Sequence, residues 1–276
     1  MNNYRTLPLT RALTIATSDS GGGAGVQADL KTFAAFGVYG LSVLSGVSAQ
    51  NTMAVTGLEC LSPGLVTSQL KAIFDDMGAE AIKIGLIGNA ENAEAIAGFL
   101  ATLSPRPPVI LDPVMVSASG HAFLEVGAVA GLKALYPYVT LLTPNIPEAE
   151  ALSGLTINGP DDCLRAGQAI LESGLERVLI KGGHLDGEES NDLLVGPNGA
   201  NWFNVGRVRT KNNHGTGCTL SSAIAACLAL GKDLESSVKY AKLYVAGALE
   251  NSIDLGQGPG PLNHFFNYYR YGEPGA

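Results

Sequence analysis

The chain alternates short, continuous apolar runs with longer segments in which apolar residues recur every three or four positions. Continuous runs of Val, Ile and Leu are typical of buried strands, whereas the three-to-four-residue spacing is typical of amphipathic helices. The apolar runs predict strands at residues 12–16, 38–47, 81–87, 109–111, 139–142 and 178–180. The periodic segments predict helices at residues 26–36, 66–77, 92–103, 126–135, 147–152, 161–173, 220–231 and 234–253.

Strands that alternate with helices form parallel βαβ units, because each helix carries the chain back to the start of the next strand. We therefore expect an α/β fold, a three-layer α/β/α sandwich with a mostly parallel central sheet. One antiparallel hairpin is expected between residues 191–195 and 202–208, with its turn at residues 197–199. No linker or repeat divides the chain, so a single domain is predicted over residues 11–265, between tails at 1–10 and 266–276.

Composition narrows the class of protein. The chain has 276 residues, 46% of them hydrophobic, which is enough for a large core. Its formal net charge of −8 argues against nucleic acid or an anionic membrane as a partner. No apolar run approaches the length of a membrane span, and the first ten residues lack the apolar core of a secretory signal. The four cysteines form no C-x-x-C pair, so we expect reduced thiols in a cytoplasmic protein.

A glycine-rich turn precedes the helix predicted at 220–231. Gly215 and Gly217 flank Thr216, and Cys218 follows them. The first turn of a helix carries free N–H groups and the positive end of the helix dipole, and glycines allow an anion to approach the backbone. The turn therefore indicates an anion site. Taken alone, it is equally well explained as a turn that lets a core helix begin.

Polar residues follow several of the predicted strands, at positions that share one edge of a parallel sheet. They are Asp19, Gln50, Asp112, Asn145 with Glu148, and Lys181. This edge is where open α/β sheets bind ligands. Asp112 and Glu148 offer the hard oxygen ligands that Mg²⁺ prefers, and Lys181 offers a cation for phosphate oxygens. Each residue alone also has a purely structural interpretation, but the combination favours a site for phosphoryl transfer.

Cys218 falls in the first turn of the predicted helix, where the pKa of a thiol tends to fall. Such a thiol can accept or share the proton of an attacking hydroxyl group. The alternative is a buried, inert thiol, which is the interpretation we favour for Cys227, farther along the same helix.

Two other classes of nucleotide-binding protein are excluded by their motifs. The chain has no G-x-x-x-x-G-K-[ST] sequence, which argues against a P-loop NTPase. The glycine run at residues 21–25 is followed by Val26 where a dinucleotide-binding loop needs its last glycine. The first acidic residue after the next predicted strand is Glu59, and no carboxylate is placed to hold a ribose.

Seven short segments carry a family resemblance. They are residues 18–33 (SDSGGGAGVQADLKTF), 50–52, 83–85, 111–115, 143–149, 181–184 and 214–219 (HGTGCT). In combination they resemble the hydroxymethylpyrimidine/phosphomethylpyrimidine kinases of thiamine biosynthesis, which belong to the ribokinase superfamily. The resemblance extends over residues 12–264, nearly the whole chain, and it implies a ribokinase-like fold.

The resemblance implies a homodimeric kinase that uses ATP and Mg²⁺. Such an enzyme phosphorylates 4-amino-5-hydroxymethyl-2-methylpyrimidine and then its monophosphate, giving the pyrophosphate from which thiamine diphosphate is built. By position, Gln50 resembles the glutamine that recognises the pyrimidine, with Ala24 and Asp29 lining the same pocket. The amide of glutamine presents a donor and an acceptor together, which suits an aminopyrimidine edge.

The remaining roles follow from the same alignment of motifs. Catalysis is expected from Cys218 together with Gly215, Thr216 and Gly217. ATP phosphates are expected at Lys181, Asn145, Gly215 and Gly217, and the metal at Asp112 and Glu148.

Two points depart from this pattern or leave it open. The loop after Met115 has no lysine near Ala118, where relatives often carry one. Related enzymes also phosphorylate pyridoxal-type compounds, so a pyridoxal or pyridoxine kinase is the first alternative. A non-catalytic ligand-binding relative is the second alternative, and the complete set of polar residues at the sheet edge speaks against it.

Overall fold

A computed structural model describes residues 9–115, 131–184 and 187–269 of the chain. Residues 126–130, the first half of the helix predicted at 126–135, lie outside these ranges, as does the loop after Met115 that lacks a lysine near Ala118. Residues 1–8 and 270–276 of the two predicted tails also lie outside them. None of the helices in the described ranges is both long and apolar enough to cross a lipid bilayer.

The described residues form one nine-stranded sheet in the order β3-β2-β1-β4-β5-β6-β7-β8-β9. The strands are β1 Arg11–Asp19, β2 Tyr39–Gln50, β3 Val55–Cys60, β4 Ala81–Ile84, β5 Val109–Leu111, β6 Leu141–Leu142, β7 Val178–Ile180, β8 Glu189–Gly196 and β9 Gly199–Gly206. The six strands from β2 to β7 in this order pair in parallel, whereas β3, β8 and β9 are antiparallel to their neighbours. The predicted hairpin is confirmed as β8 and β9.

Helices cover both faces of the sheet. They are α1 Gly25–Ala35, α2 Pro63–Phe74, α3 Ala90–Leu100, α4 Ile146–Ser153, α5 Pro160–Leu171, α6 Thr216–Ala229 and α7 Leu234–Glu250, with 3-10 turns at Lys133–Tyr138 and Gly182–His184. Buried side chains of α2 to α5 form one apolar core against the sheet, and those of α1, α6 and α7 form a second core. The structure thus confirms the expected three-layer ribokinase-like sandwich.

The sequence pattern misses one strand, the edge strand β3. This segment pairs only with β2, and most of its residues are partly or fully exposed. A strand with one neighbour and little burial needs no continuous apolar run, so its sequence lacks the signal on which the prediction depended.

Helix starts lie earlier than apolar spacing alone predicts. Helix α5 begins at Pro160 after Gly159, and not at or beyond Asp161 or Asp162. Helix α2 begins after Ser62, whose hydroxyl accepts a hydrogen bond from the Leu65 amide at 3.3 Å. Capping residues and a first-turn proline precede the first buried residue, so the polar signal marks the start better than the apolar one.

A buried ion pair links strand β4 of the sheet to helix α1. Lys83 of β4 places its Nζ 2.9 Å from Oδ2 of Asp29 in α1, and neither side chain is exposed to solvent. The hydroxyl groups of Thr14 and Ser222 donate to the same carboxylate at 2.6 Å. Burial lowers the pKa of Lys83, but the charge and hydrogen bond of Asp29 together with the nearby groups of Cys218 and Asp112 outweigh burial, so the pKa is raised and the lysine stays protonated.

Replacing Asp29 with alanine is expected to destabilise the fold by about 3–5 kcal/mol, because it leaves the Lys83 ammonium buried without its counter-charge. Urea unfolding of the purified variant measures this loss. Glu188→Ala is the matched control, since Glu188 and Arg209 form an ion pair with side chains 87% and 74% exposed. We expect little change there. Equal effects of the two substitutions would contradict a special role for the buried pair.

Candidate active site

The polar residues predicted at the strand ends meet in one cavity of about 790 Å³ at the carboxyl edge of the parallel strands. Among the residues that line it are Asp19, Gln50, Asp112, Asn145, Glu148 and Lys181. Ala24 and the turn from Gly215 to Cys218 line the same cavity. The sequence-based expectation that these positions share one edge is confirmed.

Two helices begin at this cavity without a side-chain cap. Helix α1 starts after Ala24 and helix α6 after Gly215, and neither has an acidic residue in its first turn. The start of α6 therefore lacks the usual side-chain acceptor, whereas in α1 the Gly25 amide donates to the thiol of Cys218. Both helix dipoles place positive charge at the cavity. Gly215 has a φ of 87°, and a Cβ on it would overlap the Gly23 carbonyl oxygen. Both the conformation and the contact require glycine at this position.

The side chain of Lys181 lies next to the first turn of α6. Its Nζ is 2.8 Å from Oδ1 of Asp112, and a Cβ on Gly217 would lie 3.1 Å from the same Nζ. Burial lowers the pKa of Lys181, but the charges of Asp112 and Glu148 outweigh it, so the pKa is raised. A protonated lysine next to free helix N–H groups is an arrangement that binds phosphate oxygens.

Glu148 and Asn145 form a capping box at the start of α4. The Glu148 amide donates to Asn145 Oδ1 at 2.9 Å, and Glu148 Oε2 accepts from the Asn145 amide at 2.8 Å. Burial raises the pKa of Glu148, Lys181 lowers it, and the charge of Asp112 raises it further. The net shift of the Glu148 pKa is upward, and burial is its largest cause.

Cys218 lies in the first turn of α6, and its thiol is protonated. Burial raises its pKa to about 11, although the charge of Lys83 and a hydrogen bond from the Gly25 amide lower it in part. The expectation of a lowered pKa in a helix's first turn is therefore wrong here, because desolvation outweighs the helix terminus. Cys227 is fully buried, as its inert interpretation requires.

Asp19 forms the centre of the opposite side of the cavity. Its carboxylate accepts hydrogen bonds from the amides of Gly21 and Ala24 at 2.8 Å, and Nε2 of His214 lies 3.0 Å from Oδ2. Burial raises the pKa of Asp19, but these hydrogen bonds, led by that of His214, outweigh burial and lower it. Nε2 of Gln50 lies 3.4 Å from Nε2 of His214.

Asp29, expected to line the substrate pocket, does not reach the cavity. Its side chain is completely buried in the ion pair with Lys83, so it supports the wall from behind. His214 was not among the expected site residues, although it adjoins the glycine turn. The contact that reveals it joins residues 195 positions apart, and no local pattern records such a contact.

A second, smaller cavity of about 190 Å³ adjoins the first and is mostly apolar. Its apolar lining comes from the hairpin, the segment after it, and helices α6 and α7: Val205, Val208, Leu220, Val245, Ala246 and Leu249. It shares Asn145, Lys181, Thr216 and Gly217 with the larger cavity. No sequence pattern predicts this pocket, because ordinary core side chains form it.

The fold and the site together define a class of protein. A ribokinase-like sandwich, two uncapped helix starts, a buried lysine, two carboxylates and an adjoining apolar pocket are the parts of a small-molecule phosphotransferase.

Comparison with known proteins narrows the class further. The family model of phosphomethylpyrimidine kinase matches residues 19–263. A hydroxymethylpyrimidine/phosphomethylpyrimidine kinase of Rhizobium meliloti (strain 1021) is 45% identical over 263 residues, covering 94% of this chain and 98% of the relative. The chain belongs to the phosphomethylpyrimidine kinase family.

Solved structures agree with this assignment. The crystal structure of phosphomethylpyrimidine kinase from Clostridium difficile 630 matches with a TM-score of 0.77 at 43% identity, covering 87% of this chain and 99% of that one. Pyridoxal kinase from Staphylococcus aureus, in complex with ADP, matches with a TM-score of 0.87 at 32% identity and covers 95% of each chain.

The reactivity of Cys218 tests its raised pKa. Alkylation by iodoacetamide requires the thiolate, so the rate at Cys218 should still rise steeply at about pH 10, where a free thiol with a pKa of about 8.5 has already levelled off. Mass spectrometry of the Cys218 peptide over a pH series follows the rate, and the Cys218→Ser variant identifies the peptide. A rate that levels off below about pH 7 would show a lowered pKa and contradict the structure.

Proposed function

We propose that the protein transfers a phosphoryl group from ATP to the hydroxymethyl group of 4-amino-5-hydroxymethyl-2-methylpyrimidine. A second transfer to the monophosphate then gives the pyrophosphate used to make thiamine diphosphate. The observation that carries this proposal is the meeting of the uncapped start of α6, Lys181 and Cys218 in the cavity that also contains Gln50. The names of the relatives supply the substrate class.

The acceptor pyrimidine is placed on the side of Gln50 and Ala24. The amide of Gln50 offers a donor and an acceptor at the cavity wall, which match the amino group and neighbouring ring nitrogen of an aminopyrimidine. Ala24 borders this side at the start of α1, where its small side chain leaves room for a ring.

The transferring phosphoryl group is placed between the two sides. Helix α6 begins after Gly215, with Thr216 and Gly217 in its first turn and no side-chain cap, so the positive end of its dipole faces the phosphoryl group. The protonated Lys181 neutralises phosphate charge. Asn145 lines the same region and borders both cavities. Phosphoryl transfer proceeds through a loose transition state in which the attacking hydroxyl loses its proton late, so a neutral thiol at Cys218 is sufficient to orient that hydroxyl.

Mg²⁺ is assigned to Asp112 and Glu148. Within the described residues no cluster of three acidic, histidine or cysteine side chains forms a complete metal cage. Two carboxylates fit Mg²⁺ nonetheless, since it is commonly bound by one or two carboxylates plus substrate phosphates and water. The raised pKa of Glu148 beside Asp112 is what a bound cation would reverse. When bound, the ion neutralises phosphate charge and aligns the oxygens.

The nucleotide base is placed in the smaller apolar cavity. That cavity adjoins the glycine turn through Thr216 and Gly217, so a base there would direct its phosphates toward Lys181. Apolar walls suit the faces of a purine ring. The similar pyridoxal kinase of Staphylococcus aureus was crystallised with ADP, which supports a nucleotide in this fold.

The organisation of the protein is proposed from weaker observations. We place a single kinase domain at residues 11–265 and infer a cytoplasmic homodimer with no nucleic-acid or membrane partner. The negative net charge supports the last point. The free edge strand β3 and the exposed side chains of Val47 and Met53 beside it support self-association.

A pyridoxal-type kinase activity is the second candidate. Pyridoxal kinases of Staphylococcus aureus and Bacillus subtilis match with TM-scores of 0.87 and 0.86 over 95% and 93% of the chain. The shared fold and cavity position favour testing pyridoxal as an acceptor, although both proteins are less similar in sequence than the pyrimidine kinases.

Coupled ADP-release assays test both candidates. We expect turnover with the hydroxymethylpyrimidine and its monophosphate, a lower kcat/KM with pyridoxal, and loss of all activity when EDTA removes Mg²⁺. Higher kcat/KM with pyridoxal would favour the second candidate. Absence of ADP release with every one of these acceptors would refute a vitamin-precursor kinase.

Substitution of Cys218 tests whether its thiol orients the acceptor hydroxyl or has only a structural role. Cys218→Ala should lower kcat by about 10–100-fold and leave the KM for ATP within about twofold, because the thiol touches the acceptor hydroxyl only. Cys218→Ser keeps a group that can orient the hydroxyl and should retain more activity than alanine. Equal losses in both variants would instead favour a sulfur-specific role, and unchanged kcat in Cys218→Ala would make the residue structural.

A further inference from the structure

The ring of His214 is held on several sides before any ligand binds. Its backbone N–H donates to the Gly260 carbonyl at 3.1 Å. A Cβ on Gly23 would overlap the ring at Cδ2, so the ring packs directly against that glycine. Its Nε2 lies 3.0 Å from Asp19 Oδ2, and the residue is only 9% exposed. The position of the ring is therefore fixed by the protein.

The contact with Asp19 determines that Nε2 of the His214 ring carries a hydrogen. The hydrogen bonds from His214 and the Ala24 and Gly21 amides outweigh burial and keep Asp19 ionised, since its pKa is lowered. An ionised carboxylate can only accept hydrogen bonds. Nε2 of His214 must therefore carry a hydrogen and act as a donor.

The single hydrogen on Nε2 is shared between Asp19, at 3.0 Å, and the amide of Gln50, at 3.4 Å, as the shorter and longer branches of a three-centre hydrogen bond. One end of this amide lies 3.4 Å from His214 Nε2, and the other end lies 3.4 Å from Ser48 Oγ. Ser48 has one hydroxyl hydrogen, which it donates to the Ser18 carbonyl at 3.0 Å, so toward Gln50 it is an acceptor. The structure places the amide nitrogen at His214 and the amide oxygen at Ser48. A half-turn of the amide exchanges the two atoms and gives each a matching partner, the oxygen at His214 and the nitrogen at Ser48.

An amide oriented in this way retains one N–H and one oxygen lone pair for a ligand. These two groups complement a ring edge in which an amino group adjoins an acceptor nitrogen, as in a 4-aminopyrimidine. A pyridoxal-type ring has no amino group beside its ring nitrogen, so it cannot use both groups in this arrangement.

We propose that His214 determines acceptor specificity by fixing the orientation of the Gln50 amide. Its role is positional, because it acts on the ligand through Gln50. The proposal rests on the proposed function, in which Gln50 binds the acceptor ring. His214 also directly precedes Gly215, so the residue that orients the acceptor amide is covalently joined to the turn that begins α6.

Steady-state kinetics of three variants test this role. His214→Phe keeps a flat ring without a donor, and His214→Gln restores an N–H donor. We expect His214→Phe to raise the KM for the hydroxymethylpyrimidine about tenfold, and to lower the preference for it over pyridoxal by a similar factor. The KM for ATP should change less than about twofold, and His214→Gln should recover most of the preference.

His264→Phe is the matched control. His264 is also buried, and its Nε2 lies 3.0 Å from Oγ1 of Thr219 in the same helix α6, but it does not line the cavity. This variant should leave the substrate preference unchanged even if it lowers stability. Unchanged preference in His214→Phe, or an equal loss in His264→Phe, would overturn the proposal.

A readout independent of turnover separates this proposal from the proposed function. The chain has five glutamines, and Gln50→Ala identifies the Gln50 side-chain amide in a ¹⁵N spectrum. Its resonances should shift in His214→Phe and stay in place in His264→Phe, and no shift in His214→Phe would overturn the proposal. Failure of the proposed function appears separately, as absence of ADP release by the wild-type protein with the hydroxymethylpyrimidine.

Discussion

The geometry of the site depends on one buried carboxylate. Asp29 of α1 accepts hydrogen bonds from Thr14 of β1, Lys83 of β4 and Ser222 of α6, so a single group joins two strands and two helices. The two helices are those that begin at the cavity without a side-chain cap. A buried carboxylate is costly unless it is fully paired, and the pairing is satisfied only in one relative placement of these elements. The ion pair therefore fixes where both helix starts point.

The two glycine-containing turns meet with no space for side chains. A Cβ at Gly215 would overlap the Gly23 carbonyl, and a Cβ at Gly23 would overlap the ring of His214. Close backbone contact fixes the separation of two sides of the cavity. They are the side of Gln50, where the acceptor is proposed to bind, and the start of α6, where the phosphate is proposed to bind. Because phosphoryl transfer depends mainly on alignment and charge neutralisation, a rigid junction between the two sides contributes directly to the reaction.

Local sequence signals predicted much of this arrangement. The apolar runs located all six strands of the parallel part of the sheet, β1, β2 and β4 to β7. Asp112, Asn145 and Lys181, which follow three of these strands, do line one cavity. Parallel topology explains this success, since it brings every strand's carboxyl end to the same edge. The edge strand β3 was missed because an exposed strand with a single neighbour has no apolar run.

Contacts between distant parts of the chain account for the other errors. The sequence could not show that Asp29 pairs with Lys83, 54 residues away, and so a buried structural carboxylate was expected to line the pocket. It could not show that His214 reaches Asp19 either. The small apolar cavity is made of residues that any core helix or hairpin would contain, and only the packing turns them into a pocket.

Cys218 shows why position along a helix does not by itself determine reactivity. The first turn of α6, the Gly25 amide and Lys83 all favour a thiolate, yet burial raises the pKa to about 11. A neutral group beside the hydroxyl avoids placing another negative charge near Asp112 and the phosphates. Phosphoryl transfer through a loose transition state needs little proton removal by a base. For the proposed reaction, a protonated thiol is therefore better suited to this position than an ionised one would be.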